Sequence, residues 1–296
     1  MANVANYFPR VFFAHFRFLC NFAICYQKSH NHGFILFSKV MAKHNWTREE
    51  TIVALNLYCK IPFKDSRASH PLVIEYANLI GRSPAAMNLK IGNLGRLDPM
   101  LQAKGITGLT NGSKLDVIVW NEFFDNPEKL AFESEQIIAK YKGVDIAKSA
   151  GIDIKHLPVG VDKMAVTRQR VNQRFFRDVV LSSYNNCCCV SGTCCTSLLE
   201  ACHISSWSDD VANRTNPKNG LCLNSFFHKA FDNYLFTITP DLTISISNKL
   251  IDSVKSISFQ DYLASIDNCS MLKPEKFLPD TALLEKRYDK YLKANK

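Results

Sequence analysis

Hydrophobic positions recur at helical spacing along the first part of the chain, from Trp46 onward. Residues 47–50, Thr-Arg-Glu-Glu, have the pattern of a capping box, and apolar positions follow at intervals of three and four. A second helix is expected to begin at Pro71 and end at Gly81, and a third to begin after Ser83. The short turn between the second and third helices is typical of a helix-turn-helix.

The pattern changes further along the chain, where short apolar runs replace the helical periodicity. One run ends at His203, an Asn-Gly pair follows at Asn219, and the next segment carries His228 and Asp232 four residues apart. This order predicts two strands followed by a helix. On that helix, His228 and Asp232 would lie one turn apart on the same face.

These residue types suit the hydrolysis of a phosphodiester. The imidazole of His203 can take a proton from water at neutral pH. His228 and Asp232 offer an imidazole and a carboxylate that can hold one divalent cation as a Lewis acid. Asn219 can fix the loop and orient His203 through side-chain hydrogen bonds. Each residue alone has an ordinary structural explanation, but their order and spacing together favour a catalytic site.

The constellation resembles the HNH nucleases, also called the His-Me finger or ββα-metal family. It is most similar to the subgroup found in bacterial restriction endonucleases, and the spacing also matches the bacteriocin nucleases. The resemblance implies that His203 is the general base, that Asn219 braces the loop, and that His228 and Asp232 bind metal. It also implies one divalent ion, with Mg²⁺ expected and Mn²⁺ or Zn²⁺ as alternatives, and cleavage of DNA to 5′-phosphate and 3′-hydroxyl ends.

Cys202 departs from the family pattern, in which an Asp or His that binds the metal often precedes the base. A cysteine ligand suits softer ions such as zinc. Glu200 lies two residues earlier on the same side of the predicted strand, so it can supply the missing carboxylate. Two alternatives stay open for Glu200, a metal ligand or an outer partner of the ligands. A structural zinc is not expected, since no pair of C-x-x-C motifs brackets the core.

A basic amphipathic helix is expected shortly before this segment. Arg170, Arg174 and Arg177 share one face of it, which favours contacts with nucleic-acid phosphates over a merely solvated face. In the N-terminal helices, a second set of polar side chains could contact DNA, with a plain packing role for this region as the alternative. This second set consists of Arg82, Asn88, Lys90, Asn93 and Arg96.

The sequence therefore predicts an α+β protein in which a helical N-terminal domain precedes a C-terminal ββα-metal (HNH) nuclease domain. A hairpin is expected around Pro240 and a final helix from Thr281. The predicted divisions are residues 1–40 as an upstream extension before a start at Met41, 41–145 as a helical DNA-binding domain, 146–165 as a linker, 166–252 as the nuclease domain, and 253–296 as a C-terminal helical extension.

Composition limits the class of protein. The chain has 296 residues, of which 47% are hydrophobic, enough for two domains with sizeable cores. Its net charge of +9 favours a polyanionic partner. Eleven cysteines, an odd and clustered number, indicate free thiols in a reducing cytoplasm. The first 40 residues contain no acidic residue, and charges interrupt their apolar run, which argues against a membrane-spanning helix.

Three functions remain open. The first is a restriction or phage-defence endonuclease acting on DNA; with one site visible per chain, cutting both strands needs a homodimer or two events. The second is a nucleic-acid-binding protein with a degenerate nuclease centre, an alternative that Cys202 keeps open. The third is a nuclease toxin acting on RNA. No membrane partner is expected.

Overall fold

A computed structural model of the chain describes residues 45–106, 112–153 and 162–296. The extension expected over residues 1–40, the start at Met41 and the middle of the expected linker lie outside the described residues. The described residues cluster as one unit by their contacts. Within these ranges, no helix is both long enough and apolar enough to cross a membrane.

The N-terminal part is built from helices whose ends follow the sequence pattern. The Thr47 hydroxyl accepts a hydrogen bond from the Glu50 backbone N–H at 3.2 Å, and the Glu50 carboxylate accepts one from the Thr47 N–H at 2.8 Å. The predicted capping box is therefore formed. The helices are α1 (Arg48–Lys60), α2 (Pro71–Leu79), α3 (Pro84–Gly95), α4 (Pro99–Gln102), α5 (Lys114–Phe123), α6 (Pro127–Lys142), α7 (Ile146–Ser149) and α8 (Lys163–Ser183).

The C-terminal part contains the predicted strand–strand–helix unit and the predicted hairpin. Its elements are β1 (Leu199–His203), β2 (Gly220–Asn224), α9 (Ser225–Asp232), β3 (Phe236–Ile238), β4 (Ile244–Ile246), α10 (Asn248–Ser253), α11 (Ile257–Ile266) and α12 (Thr281–Ala294). β1 and β2 are antiparallel, with His203 opposite Gly220, and α9 begins directly after β2. β3 pairs with β4. The predicted α+β fold is confirmed.

Two hydrophobic cores meet along α8. Val171, Phe175 and Val179 pack into the core of the N-terminal helices. Phe176 and Val180, each one position further on, pack into the core around β1, β2 and α9. Successive helical positions point about 100° apart, so one helix can serve both cores. The expected domain boundaries at residues 145 and 166 stay a prediction.

A buried lysine joins the C-terminal segment to the first helix. Lys276 has no exposed surface, and its ammonium donates hydrogen bonds to the carbonyl oxygens of Tyr58 (2.6 Å), Cys59 (3.3 Å) and Ile61 (2.8 Å). These carbonyls lie at the end of α1, where helix geometry leaves them without intrahelical partners and where a positive charge is favourable. The segment before α12 is thereby tied to the N-terminal helices.

The expectation that the cysteines are all free thiols is wrong. Cys187 and Cys194 form a disulfide across a turn that contains Gly192. The seven-residue separation is short, and the positive φ of Gly192 lets the chain reverse between the two sulfurs. Local turn geometry therefore brings these two thiols together.

The expectation that Lys90 contacts DNA is also wrong. Its side chain is 3% exposed, and its ammonium pairs with the buried carboxylate of Asp116 at 2.5 Å. Arg82 forms a similar ion pair with Glu50 at 2.7 Å. A buried charge needs such a partner, and the partner then holds it away from solvent. Both side chains stabilise the helical part rather than face a phosphate.

Candidate metal and catalytic centre

Alternation along β1 separates the candidate residues into two sets. Glu200 and Cys202 point toward α9, whereas His203 points toward α8. Asn224, the last residue of β2, caps α9 by accepting a hydrogen bond from a backbone N–H of its first turn at 2.9 Å. This cap starts α9 immediately after the strand, so the helix lies across the face that carries Glu200 and Cys202.

Three side chains with metal-binding atoms meet where β1 faces α9. The Sγ of Cys202, a ring nitrogen of His228 and a carboxylate oxygen of Asp232 lie within 4.8 Å of one another. The Nε2 of His228 is 3.6 Å from Oδ2 of Asp232, as the four-residue spacing on a helix allows. Cys202 is fully buried, and burial holds the pKa of its thiol well above its ordinary value.

Glu200 contacts the other nitrogen of the His228 ring. The Nδ1 of His228 donates a hydrogen bond to Oε2 of Glu200, and the Ser225 hydroxyl donates to Oε1 at 2.7 Å. The hydrogen bonds from Ser225 and His228 lower the pKa of the Glu200 carboxyl. With Nδ1 donating to Glu200, Nε2 is the ring nitrogen that faces Asp232.

His203 is held by one hydrogen bond and two aromatic rings. Its Nε2 lies 2.9 Å from the backbone oxygen of Arg214, and since a carbonyl only accepts, Nε2 carries the proton. The ring stacks on Phe176 at a centroid distance of 3.9 Å, and Trp207 meets it edge-on at 5.8 Å. Burial lowers the pKa of His203, so the imidazole is neutral at neutral pH and Nδ1 keeps its lone pair.

Asn219 braces the loop that presents the Arg214 carbonyl. Its side chain is fully buried, and its Oδ1 accepts a hydrogen bond from the Ser205 N–H at 2.8 Å. Its Nδ2 donates to the carbonyl oxygens of Ser205 (3.0 Å) and Asn213 (3.1 Å). These hydrogen bonds go to the loop backbone, so an orientation of His203 by Asn219 would act through the loop and stays a prediction.

Residues 188–239 match the HNH endonuclease family. The chain carries an HNH endonuclease domain. The matched segment contains His203, Asn219, His228 and Asp232, whereas α8 and α12 lie outside it. Comparison with curated proteins and with solved structures found no match. An HNH domain implies a nuclease whose substrate is a nucleic acid.

The three arginines of α8 that the sequence singled out lie at different places around the HNH domain. Arg177 lines the cleft that contains His203, and it donates a hydrogen bond to the backbone carbonyl at the start of β1 at 2.8 Å. Arg174 instead donates to the carbonyl of Ala150 at 2.8 Å, on the side of the N-terminal core. Arg170 is exposed two turns before Arg177, about 10 Å away along the helix axis. Contacts of Arg170 and Arg174 with nucleic acid stay a prediction.

Four further residues line the HNH cleft, although their spacing did not single them out. They are Gln173, Phe176, Ala201 and Trp207. Trp207 follows His203 by four residues, and this closeness in sequence is the feature that could have identified it as a residue of the cleft. Phe176 adjoins Arg177, but its contact with the His203 ring depends on how α8 packs against β1.

Proposed function

We propose that the chain is a metal-dependent endonuclease that hydrolyses phosphodiester bonds in DNA. The observation that carries the proposal is a neutral imidazole with a free Nδ1, on His203, in a cleft also lined by His228 and Arg177. Such a cleft combines a general base, a group that can bind phosphate, and the edge of a metal-binding cluster.

The residues of the cluster fit one divalent cation. Thiolate, imidazole and carboxylate atoms that lie within 4.8 Å of one another can bind the same ion. We assign Cys202, His228 and Asp232 as its ligands, and Glu200 as the partner that fixes the His228 ring. When bound, the cation supplies Lewis-acid chemistry, which stabilises negative charge on the phosphate and on the leaving oxygen.

His203 acts as the general base in this proposal. Its Nδ1 takes a proton from the attacking water, while Nε2–H stays bonded to the Arg214 carbonyl. The stack on Phe176 and the edge contact of Trp207 fix the plane of the ring. A ring held in one orientation does not need to reorganise before it accepts the proton.

Arg177 is the residue that we assign to the phosphate. Its guanidinium has more N–H donors than the one that bonds to the β1 carbonyl, and a guanidinium can bind two phosphate oxygens at once. The net charge of +9 favours DNA in the same way. We further propose that the helical part, with Arg170 and Arg174 at its border, binds the DNA duplex beside the cleft.

The sulfur of Cys202 favours a softer ion than the Mg²⁺ expected from the family resemblance. Cys202→Ser should therefore lower the affinity for Cd²⁺, a soft probe ion, by at least about tenfold, because it removes a ligand. The wild-type protein should show a sulfur-to-cadmium charge-transfer band in the ultraviolet spectrum, and the variant should lack it. Cys222→Ser changes a buried thiol on β2 outside the cluster and should keep the band. A band that survives in both variants would remove Cys202 from the ligand set.

Glu200→Gln should lower the affinity for Mn²⁺ by about tenfold, less than His228→Ala does. Glutamine keeps an oxygen that can accept the hydrogen bond from Nδ1 of His228, but it lacks the charge that makes the imidazole a better ligand. Calorimetric titration of both variants with Mn²⁺ measures the difference. Equal losses would make Glu200 a ligand itself, and no loss would place it outside the metal site.

Two labelled oligonucleotides of one sequence, one of DNA and one of RNA, test the substrate. With Mn²⁺ present, we expect cleavage of the DNA duplex to fragments whose 3′-hydroxyl ends a polymerase can extend, and much slower cleavage of RNA. Faster cleavage of RNA would favour a toxin instead. Binding of DNA without cleavage of either strand would favour a degenerate centre.

A restriction or phage-defence role is proposed from the family resemblance, and it predicts sequence choice. Methylated and unmethylated plasmid DNA are digested side by side. One of the two plasmids should give discrete fragments, and the other should not. A smear of fragments from both plasmids would contradict this role.

Cleavage of both strands at one position should require two protomers, which light scattering of the DNA-bound protein would detect.

A further inference from the structure

Arg287 on α12 lies outside the family match, yet it contacts the end of the helix that carries His228 and Asp232. Its guanidinium donates a hydrogen bond to the carbonyl oxygen of Phe231, the residue before Asp232. The same guanidinium lies 4.1 Å from the ring centroid of Phe231 and 4.0 Å from that of Tyr234. Arg287 therefore contacts this helix end through one hydrogen bond and through two aromatic rings.

The hydrogen bond acts at the end of a short helix. α9 has eight residues, about two turns, and its Phe231 carbonyl also accepts a hydrogen bond from the Tyr234 N–H just beyond the helix, at 2.9 Å. A cation at the C-terminal end of a helix is also favourable. The bond from Arg287 adds a contact from a distant helix to the last turn of α9, and Asp232 is the final residue of that turn.

We propose that Arg287 is a positioning residue for the metal-binding cluster, because it fixes the last turn of α9 and with it the carboxylate of Asp232 opposite Cys202 and His228. This inference rests on the proposed metal site. It adds to the nuclease centre a residue from the C-terminal helix, which follows the matched segment by more than 40 residues in sequence.

Loss of positioning by Arg287 should weaken cation binding, whereas loss of its positive charge should strengthen it, so a titration can tell the two effects apart. Arg287 is positively charged, and Asp232 and Cys202 are among the groups that act on it electrostatically. Removal of a positive charge near a cation site would by itself tighten cation binding. Weaker binding by an Arg287→Gln variant that is as stable as wild type therefore indicates lost positioning rather than the change of charge.

Calorimetric titration of the full chain with Mn²⁺ tests the proposal. Arg287→Gln should raise the Kd for Mn²⁺ by about tenfold, within the range for residues that orient metal ligands. Arg287→Lys keeps the charge but lacks the flat guanidinium that contacts the two rings, so it should raise the Kd by a smaller factor. Lys286→Gln makes the same charge change at an exposed position on α12 and should leave the Kd unchanged.

A Kd equal to or lower than that of wild type, in every variant at position 287 that folds, overturns the proposal. Urea unfolding of each variant separates this result from general instability, since a loss of stability without a change in Kd also counts against positioning. If the wild-type protein binds no Mn²⁺, the proposed metal site fails, and this inference fails with it. If wild type binds Mn²⁺ and the variants bind it equally, only this inference fails.

Discussion

Replacement of His203 by alanine should lower the rate of DNA cleavage by about 10³-fold, within the range that a general base contributes. The affinity for Mn²⁺ should change little, because His203 stacks on Phe176 of α8 and is not one of the three side chains whose metal-binding atoms cluster. Single-turnover cleavage with protein in excess measures the rate, and calorimetry measures the affinity. A loss of rate with the affinity intact would separate the base from the metal ligands.

His203→Gln is the matched variant for this experiment. The terminal amide of glutamine can donate a hydrogen bond to the Arg214 carbonyl as Nε2 of His203 does, but its oxygen is not a useful base at neutral pH. The variant should therefore keep the loop in place and still be as slow as His203→Ala. Cleavage at the wild-type rate by either variant would assign the base to another residue and refute the proposed mechanism.

Lys276→Met should lower the free energy of unfolding by about 4 kcal/mol, because it leaves buried carbonyl oxygens without partners. Tyr58 and Ile61 lose the hydrogen bonds from the ammonium, whereas the carbonyl of Cys59 keeps one from the Ser182 hydroxyl at 2.6 Å. Methionine is similar in length and apolar, so the substitution removes the donor without opening a large cavity. Urea unfolding followed by circular dichroism measures the change.

Lys273→Met is the control for this prediction, since it makes the same substitution three residues earlier at an exposed position. It should change the free energy of unfolding by less than about 0.5 kcal/mol, as surface substitutions usually do. Equal effects of the two substitutions, or a loss below about 1 kcal/mol for Lys276→Met, would show that the buried ammonium does not hold α1 to the C-terminal segment.

The sequence was sufficient to predict the local parts of the nuclease centre. His228 and Asp232 lie one turn apart because a helix brings positions four apart onto one face. The antiparallel pair and the helix after it follow from short apolar runs of fixed order, and His203 ends the first strand as expected. The spacing could not decide between Cys202 and Glu200, because both lie on the same side of β1. In the structure Cys202 lies in the cluster with His228 and Asp232, whereas Glu200 contacts Nδ1 of His228, and the choice of ligand stays a proposal.

Contacts between distant segments could not be predicted, since nothing local encodes them. Arg287 reaches Phe231 across 56 residues, and Lys276 reaches the end of α1 across more than 200. For Lys90, a contact that the sequence does not encode locally made the prediction of its role wrong. A lysine on a helix favours a solvated or phosphate-binding interpretation, and only the position of Asp116 26 residues later turns it into half of a buried ion pair.

The most direct test of the account is the nicking of supercoiled plasmid by purified protein that has been dialysed against a chelator. The account predicts no nicking by the dialysed protein, nicking after Mn²⁺ is added back, and no nicking by His228→Ala at the same Mn²⁺ concentration. Nicking by the chelated protein, or by His228→Ala as fast as by wild type, would contradict a metal-dependent centre at Cys202, His228 and Asp232.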